Sequence, residues 1–390
     1  MITYPIFVIS TLVFIEFLVL SLAAHSRTKH WFQFLPAIFW IYFLPMVAST
    51  SGLLPSKMPL YDQAVTVGLP MSLFLLLIGV DLKAIVRIGH KSLLMFLAGS
   101  LGIMLGSVVT FFLFRKFVGN AFWTGFGALS ASWTGGSANM IAVKSAIGTP
   151  DDVFLPMVVV DAIVPYVWMG LLMTAAGWQP RVDRWLKADR KIFDEMKARF
   201  KSLGNAPKAK LDWKNALVLI VVALCASYGV QALSKFLPVA EGVITQFTWT
   251  IILISTMALA FSLTPLRRLE KKGASKIGYF LLYFVLTTIG VKATISHLGT
   301  AVVLISAGFL IVFIHACVLL LAAKWLKAPM MLVATASQAN VGGVVSAPIV
   351  AEIYQPGLSA IGLLMAILGN VIGTYLGIMT AQVCRLISFH

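Results

Sequence analysis

Asp161 is the residue hardest to explain as simple packing. It sits in Val158-Val159-Val160-Asp161-Ala162-Ile163-Val164, an acid with apolar neighbours on both sides. A carboxylate near the middle of a membrane helix costs roughly 2.5–3.5 kcal/mol on insertion scales, and such residues commonly mark ion or proton paths. The competing reading is a packing acid tied to a cation such as Lys144 or Lys292. Two other elements carry polar groups in apolar surroundings: Thr134-Gly135-Gly136-Ser137-Ala138-Asn139 and Ser337-Gln338-Ala339-Asn340-Val341-Gly342-Gly343. Paired glycines flanked by Ser and Asn favour turns and interrupt helices. Inside a membrane, the carbonyls exposed at such a break suit a hard cation. The half-helix that restarts beyond it turns N–H groups and a positive dipole end towards an anion. This chemistry assigns Thr134, Gly135, Gly136, Ser137, Asn139, Asn340, Gly342 and Gly343 to a solute site. It assigns Asp161, Ser137, Asn139, Ser337, Gln338, Asn340 and Asn370 to a coupling ion, Na+ or H+. Taken singly, each Ser or Asn is as readily a turn cap.

The elements that must hold these residues follow from composition. The 390 residues are 59% hydrophobic and 11% charged, against about 25% charged in soluble domains. Apolar runs of about 20 residues cross a bilayer as helices. They fall near 3–24, 31–49, 66–86, 92–114, 121–147, 153–177, 215–236, 243–263, 277–296, 300–323, 330–351 and 358–384. One hydrophilic stretch, 178–214, divides them six and six and holds 11 of the 30 Lys and Arg residues. By the positive-inside tendency it is cytoplasmic. Val182, Trp185, Leu186, Phe193, Met196, Phe200 and Leu203 recur there at helical spacing, which predicts a basic amphipathic helix on the inner leaflet. The net charge of +16 is thus an orientation signal in short breaks between spans, and no nucleic-acid partner is expected. Cys225, Cys317 and Cys384 have no paired spacing, so neither a disulfide frame nor a metal site is expected, and no cofactor. Residues 1–10 lack the basic region of a cleavable signal.

The expected fold class is an all-α polytopic membrane protein. If 121–147 and 330–351 are re-entrant hairpins, five crossings precede the linker and five follow it. That places 23 basic residues inside and 5 outside, against 22 and 6 if all twelve segments cross with the two broken ones as discontinuous helices. The halves, 1–177 and 215–390, share landmarks in the same order. Gly79-Val80 matches Gly290-Val291, Ala131-Ser132 before the first glycine pair matches Ala336-Ser337 before the second, and Asp161 with Tyr166 matches Asn370 with Tyr375. An odd number of crossings per half makes the two repeats inverted, the arrangement of secondary transporters.

The Gly-Gly-Ser-Ala-Asn and Ser-Gln-Ala-Asn-Val-Gly-Gly elements resemble those of the uncharacterised eight-one-nine domain-of-unknown-function membrane family, over nearly the whole chain. That family is similar to the clan of cation/proton antiporters and anion symporters, which includes the sodium/glutamate and citrate/sodium symporters. The resemblance implies a scaffold domain, a transport domain holding both hairpins, elevator-like alternation and a homodimer formed through scaffold helices. It implies no particular substrate, and Val344-Val345 after the second glycine pair leaves no complete Gly-Gly-x-Gly there. Glu16 and His315 read as packing or scaffold contacts, and Asp81 with Lys83 as an interfacial ion pair. Pro156 and Pro165 bracket Asp161 and could bend its helix. No His-x-x-x-His, Asp-rich metal motif or Gly-x-Ser-x-Gly occurs, so membrane-enzyme chemistry is not expected. The expectation is a secondary transporter of a small anionic solute in the bacterial inner membrane. Its rivals are a cation/proton antiporter and, from other classes, a membrane enzyme or a channel.

Overall fold

Residues 4–28, 32, 37–86, 88–188, 212–240, 244–292 and 301–389 are described by a computed structural model. The helices are α1 (Pro5–Ala24), α2 (Ala37–Thr50), α3 (Pro59–Ile78), α4 (His90–Val118), α5 (Trp123–Gly135), α6 (Ser137–Ala146), α7 (Asp151–Ala175) and α8 (Gln179–Leu186). After the linker come α9 (Trp213–Ser234), α10 (Gln246–Ser262), α11 (Ala274–Lys292), α12 (Ala301–Leu326), α13 (Met330–Val341), α14 (Gly343–Tyr354) and α15 (Ser359–Ser388). Among the described residues, eight helices are long and apolar enough to cross a membrane. They fall in eight of the ten segments expected to cross. The other two expected crossings are shorter: α2 has 14 residues and α10 has 17. A 98° bend separates α10 from the 3-10 turns at Pro265–Lys272. Both segments expected to be broken are broken, α5 from α6 at Gly136 and α13 from α14 at Gly342.

The chain divides into two compact units, each drawn from both halves of the sequence. The first comprises Met1–Val80, Lys144–Ala162 and Lys208–Ala301, the second Asp81–Val143, Ile163–Pro207 and Val302–His390. These units do not coincide with the segments 1–177 and 215–390. A repeat is a pattern along the chain, whereas a unit is a set of helices packed on one another.

In the first unit α3 is central, with α9, α10 and α11 packed against it and α2 against α11. Leu69, Leu73, Phe74 and Leu75 of α3 are buried there. Residues Ala64–Gly68 of α3 are π-helical. Lipid is as apolar as Leu, so helix association in a membrane relies on close packing, which small residues permit. Gly290 of α11 lies against the Tyr42 carbonyl of α2, and a Cβ on Gly278 would come within 2.9 Å of Leu76. A capping box starts α10 at Thr245 and Thr248, and the Thr248 hydroxyl also donates to the Ala146 carbonyl at 2.6 Å. The large exposed side chains of α1, among them Phe7, Phe14 and Phe17, face outward.

In the second unit α15 packs along α5 and against α4, α13 and α14. Gly127 meets Ala381, Gly377 meets Ala131 and Gly362 meets the Ala347 carbonyl, so small residues again line the interfaces. The linker begins with α8, which ends at Lys187 in the left-handed region, φ 54°. Leu186 is buried as the amphipathic spacing predicts, whereas Trp185, expected on the same apolar face, is exposed. The rest of that expected helix, with Phe193, Met196, Phe200 and Leu203, lies outside the described residues. Asp183 of α8 caps α13 by accepting from the Met330 amide at 2.8 Å.

Candidate functional site

Both breaks lie in the second unit, and each carries a glycine that no other residue replaces easily. Gly136 has φ 82° and Gly343 φ 73°, a region where a Cβ is strained. The breaks thus follow from the sequence, since a residue confined to right-handed conformations would let the helix continue.

At the first break, Asn139 is buried and its amide is fully engaged. Its Nδ2 donates to the Gly135 carbonyl at 2.5 Å and to the Asn370 carbonyl at 3.4 Å, and its Oδ1 accepts from the Thr374 hydroxyl at 2.5 Å. The approach is possible because α15 presents glycines here. Gly369 lies against the Thr134 carbonyl, and a Cβ on Gly373 would sit 2.7 Å from the Gly135 Cα. Gly135 itself has no space for a side chain, with Asn139 Nδ2 and the Gly369 carbonyl in the way. Thr134 is buried, and its hydroxyl has no hydrogen-bond partner among the described residues. Ser137 and Asn370 are half-buried. The Asn370 side-chain oxygen lies 3.6 Å from where a Cβ of Gly136 would be.

The second break repeats the same clamp on another helix. Asn340 Nδ2 donates to the Ala336 carbonyl at 2.9 Å and the Phe96 carbonyl at 3.3 Å, and its Oδ1 accepts from Ser100 at 2.8 Å. In both places the partner helix supplies a carbonyl and, four residues later, a hydroxyl: Phe96 with Ser100 on α4, and Asn370 with Thr374 on α15. In both a glycine precedes the hydroxyl residue, Gly99 and Gly373. A Cβ on Gly99 would come within 2.6 Å of Asn340 Nδ2.

Beside Asn340, Gln338 is buried and donates to the Ser346 hydroxyl across the break at 2.9 Å. Its Oε1 has no hydrogen-bond partner among the described residues. Both Gln338 and Ser346 crowd Gly342 so closely that a side chain there would displace them. Ser337 is also buried, and it binds Trp168 of α7 and His315 of α12. The unit therefore brings Thr134, Gly135, Gly136, Ser137, Asn139 and Asn370 together at one break, and Ser337, Gln338, Asn340, Gly342 and Gly343 at the other. A buried polar atom without a partner costs about 1–3 kcal/mol, so the Thr134 and Gln338 oxygens are costly positions in these networks.

Ser100, Thr374, Ser346, Trp168 and His315 complete these networks, and the first four were absent from the expected set. The signal for two of them was present: Gly99-Ser100 and Gly373-Thr374 are glycine-hydroxyl pairs inside long apolar helices. His315, read from sequence as a packing residue, is hydrogen-bonded at both ring nitrogens.

Asp161 lies in the first unit, half-buried in α7. The helix runs continuously from Asp151 to Ala175 through Pro156 and Pro165. Of the two lysines considered beside it, Lys144 pairs with Asp151 at 2.7 Å and Lys292 with Asp62 at 2.9 Å. Glu16 is also in this unit and is buried, with neither carboxylate oxygen hydrogen-bonded among the described residues.

The chain is 26% identical over 347 residues to the uncharacterized membrane protein YjcL of Bacillus subtilis (strain 168), covering 85% of this chain and 86% of that protein. With eight apolar helices of spanning length among the described residues, it is a multi-pass membrane protein. Residues 11–387 match the family model described as "Protein of unknown function (DUF819)", and the chain belongs to that family.

Proposed function

We propose that the chain is a secondary active transporter for a small anionic solute, coupled to sodium or protons, and not an enzyme. The observation that carries this reading is the presence of two glycine-broken helix pairs in one unit, each with a buried oxygen lacking a hydrogen-bond partner among the described residues. Interrupted membrane helices are tolerated where protein or an aqueous cavity surrounds them, and in transporters they form the substrate and ion sites. In this reading the unit holding both breaks carries the solute by elevator-like alternation, and the other is the scaffold of a homodimer. The repeats are inverted, the broken segments are re-entrant, and the linker is cytoplasmic at a bacterial inner membrane. The resemblance to sodium/glutamate and citrate/sodium symporters supports the same class.

Thermal unfolding of the purified chain with acetate, succinate, glutamate or citrate, in sodium and in choline buffers, tests this. Stabilisation by one of these anions is expected, and its dependence on sodium identifies the ion. If none of the four stabilises the chain in either salt, transport of these carboxylates is excluded.

Asp161 favours a second reading, cation/proton antiport, because it is an acid in the middle of a spanning helix. Under either reading Asp161→Asn abolishes ion-coupled flux in proteoliposomes. Full coupling in that variant would remove Asp161 from the coupling role.

A further inference from the structure

His315 of α12 is fully buried, and its two ring nitrogens are held by unlike partners. Nδ1 is 2.8 Å from the Gly99 carbonyl of α4, and Nε2 is 2.9 Å from the Ser337 hydroxyl of α13. A carbonyl only accepts, so Nδ1 carries a hydrogen whichever charge state the ring adopts. In the neutral ring Nε2 is then a bare acceptor, and the Ser337 hydroxyl must donate to it. The indole Nε1 of Trp168 donates to the same Ser337 oxygen at 2.8 Å, and an indole N–H cannot accept. The direction of every bond is thereby set: Trp168 to Ser337, Ser337 to His315, His315 to Gly99.

Adding one proton reverses the middle bond. With Nε2 protonated, the ring donates to Ser337, whose oxygen now accepts from both His315 and Trp168. The serine keeps its own hydrogen, which must find another acceptor. The Val333 carbonyl, one turn earlier on α13, is the local choice. An oxyanion at the second break is the alternative, and it also gains from the new positive charge.

We propose that His315, Ser337 and Trp168 form a proton-binding relay that turns Ser337 into a hydrogen-bond donor for a carboxylate solute, making the proton a coupling ion. The solute part rests on the transporter reading, whereas the proton site does not. The surroundings leave His315 as the titrating group. On α12 the other ionisable residues are Cys317 and Lys324, and on α4 they are His90, Lys91, Arg115 and Lys116 near its ends. Lys91 is about 12 Å along the helix from Gly99, and Lys324 about 13 Å from His315, at 1.5 Å per residue. No ionisable residue occurs on α13; α7 carries Tyr166 and, about 10 Å along the helix from Trp168 at 1.5 Å per residue, Asp161.

Nitrogen-15 NMR of imidazole-labelled protein in nanodiscs tests the relay without any solute, with the His315 signals assigned by their absence in His315→Gln. At high pH the ring is expected with hydrogen on Nδ1 and a bare Nε2, and lowering the pH from 9 to 4 protonates Nε2. Ser337→Ala and Trp168→Phe each move the midpoint by about half a pH unit or more, ~threefold in proton affinity. A ring that stays neutral throughout, or that carries its hydrogen on Nε2 at high pH, overturns the proposal. So does a midpoint unchanged in both variants. For whichever of the four carboxylates stabilises the wild type, binding is expected to be pH-dependent and to lose that dependence in His315→Gln. The same pH dependence in that variant rejects the relay and leaves transport standing. If no carboxylate binds, transport of these solutes fails while the ring titration still decides the proton site.

Discussion

The Ser100 hydroxyl donates to the Asn340 side-chain oxygen at 2.8 Å, joining residues 240 positions apart in the chain. Thr374 stands in the same relation to Asn139, 235 positions away. Each asparagine is also bonded to the carbonyl four residues before its hydroxyl partner. Both amide hydrogens of each are therefore committed within the protein. The asparagines hold the broken segments against α4 and α15.

Removing either clamp strips hydrogen bonds from buried carbonyls and a hydroxyl, although Ser100 keeps its own bond to the Phe96 carbonyl at 3.1 Å. Asn340→Ala and Asn139→Ala should each lower stability by about 1–3 kcal/mol. Ser100→Ala should cost less, because Asn340 keeps its two donated bonds. Thermal unfolding in detergent measures the order, and an Asn340→Ala variant as stable as Ser100→Ala would refute the clamp.

Gly102 tests the crossing that positions His315. A Cβ there would lie 2.9 Å from the His315 Cα, which belongs to backbone and cannot rotate away. Gly102→Ala should destabilise by about 1–3 kcal/mol through overpacking. Gly170 has nothing within 4 Å of its Cβ position and an ordinary φ, so Gly170→Ala should be neutral or stabilising by roughly 0.4–1 kcal/mol. Equal unfolding temperatures for the two variants would contradict the close crossing of α4 and α12.

Two ion pairs in the first unit differ in burial and should differ in worth. The Lys144 and Asp151 side chains are 11% and 23% exposed, whereas those of Lys292 and Asp62 are 33% and 73% exposed. Lys144→Met should cost up to ~3 kcal/mol, because it strands a half-buried carboxylate. Asp151→Asn in that background should recover part of the loss. Lys292→Met should change stability by about 0–1 kcal/mol. The comparison is made by denaturation at low and high salt, where the Lys144 effect should persist.

Cysteines at Pro150 and Pro356, both exposed, test the topology. If both broken segments are re-entrant, a membrane-impermeant thiol reagent reaches position 150 from outside and position 356 from the cytoplasm. Labelling of both from outside would support twelve full crossings. A background with Cys225, Cys317 and Cys384 replaced keeps the readout clean.

Much of the fold was legible because the signals are local. Spanning length and the glycine pairs are read over about 20 residues or fewer, and the described helices overlap the runs that predict them. The shorter α2 and α10 were harder to see, since an apolar run carries no mark of where its helix ends. At the site, Gly136 and Gly343 were readable because a left-handed turn demands glycine. Ser100 and Thr374 were not singled out, because a lone hydroxyl in an apolar helix usually bonds its own backbone.

By itself, the sequence determined that this protein lives in a membrane, where its spans fall and where two of its helices must break. Tertiary structure decided which residues those breaks meet, and it grouped parts of both halves into each unit. The physical reason is that a helix is satisfied by its own hydrogen bonds, so its length and interruptions are settled locally. Contacts between helices depend on small residues such as Gly99, Gly102 and Gly373 allowing particular backbones to approach. That matching joins segments hundreds of residues apart, and no window of the chain contains both sides of it.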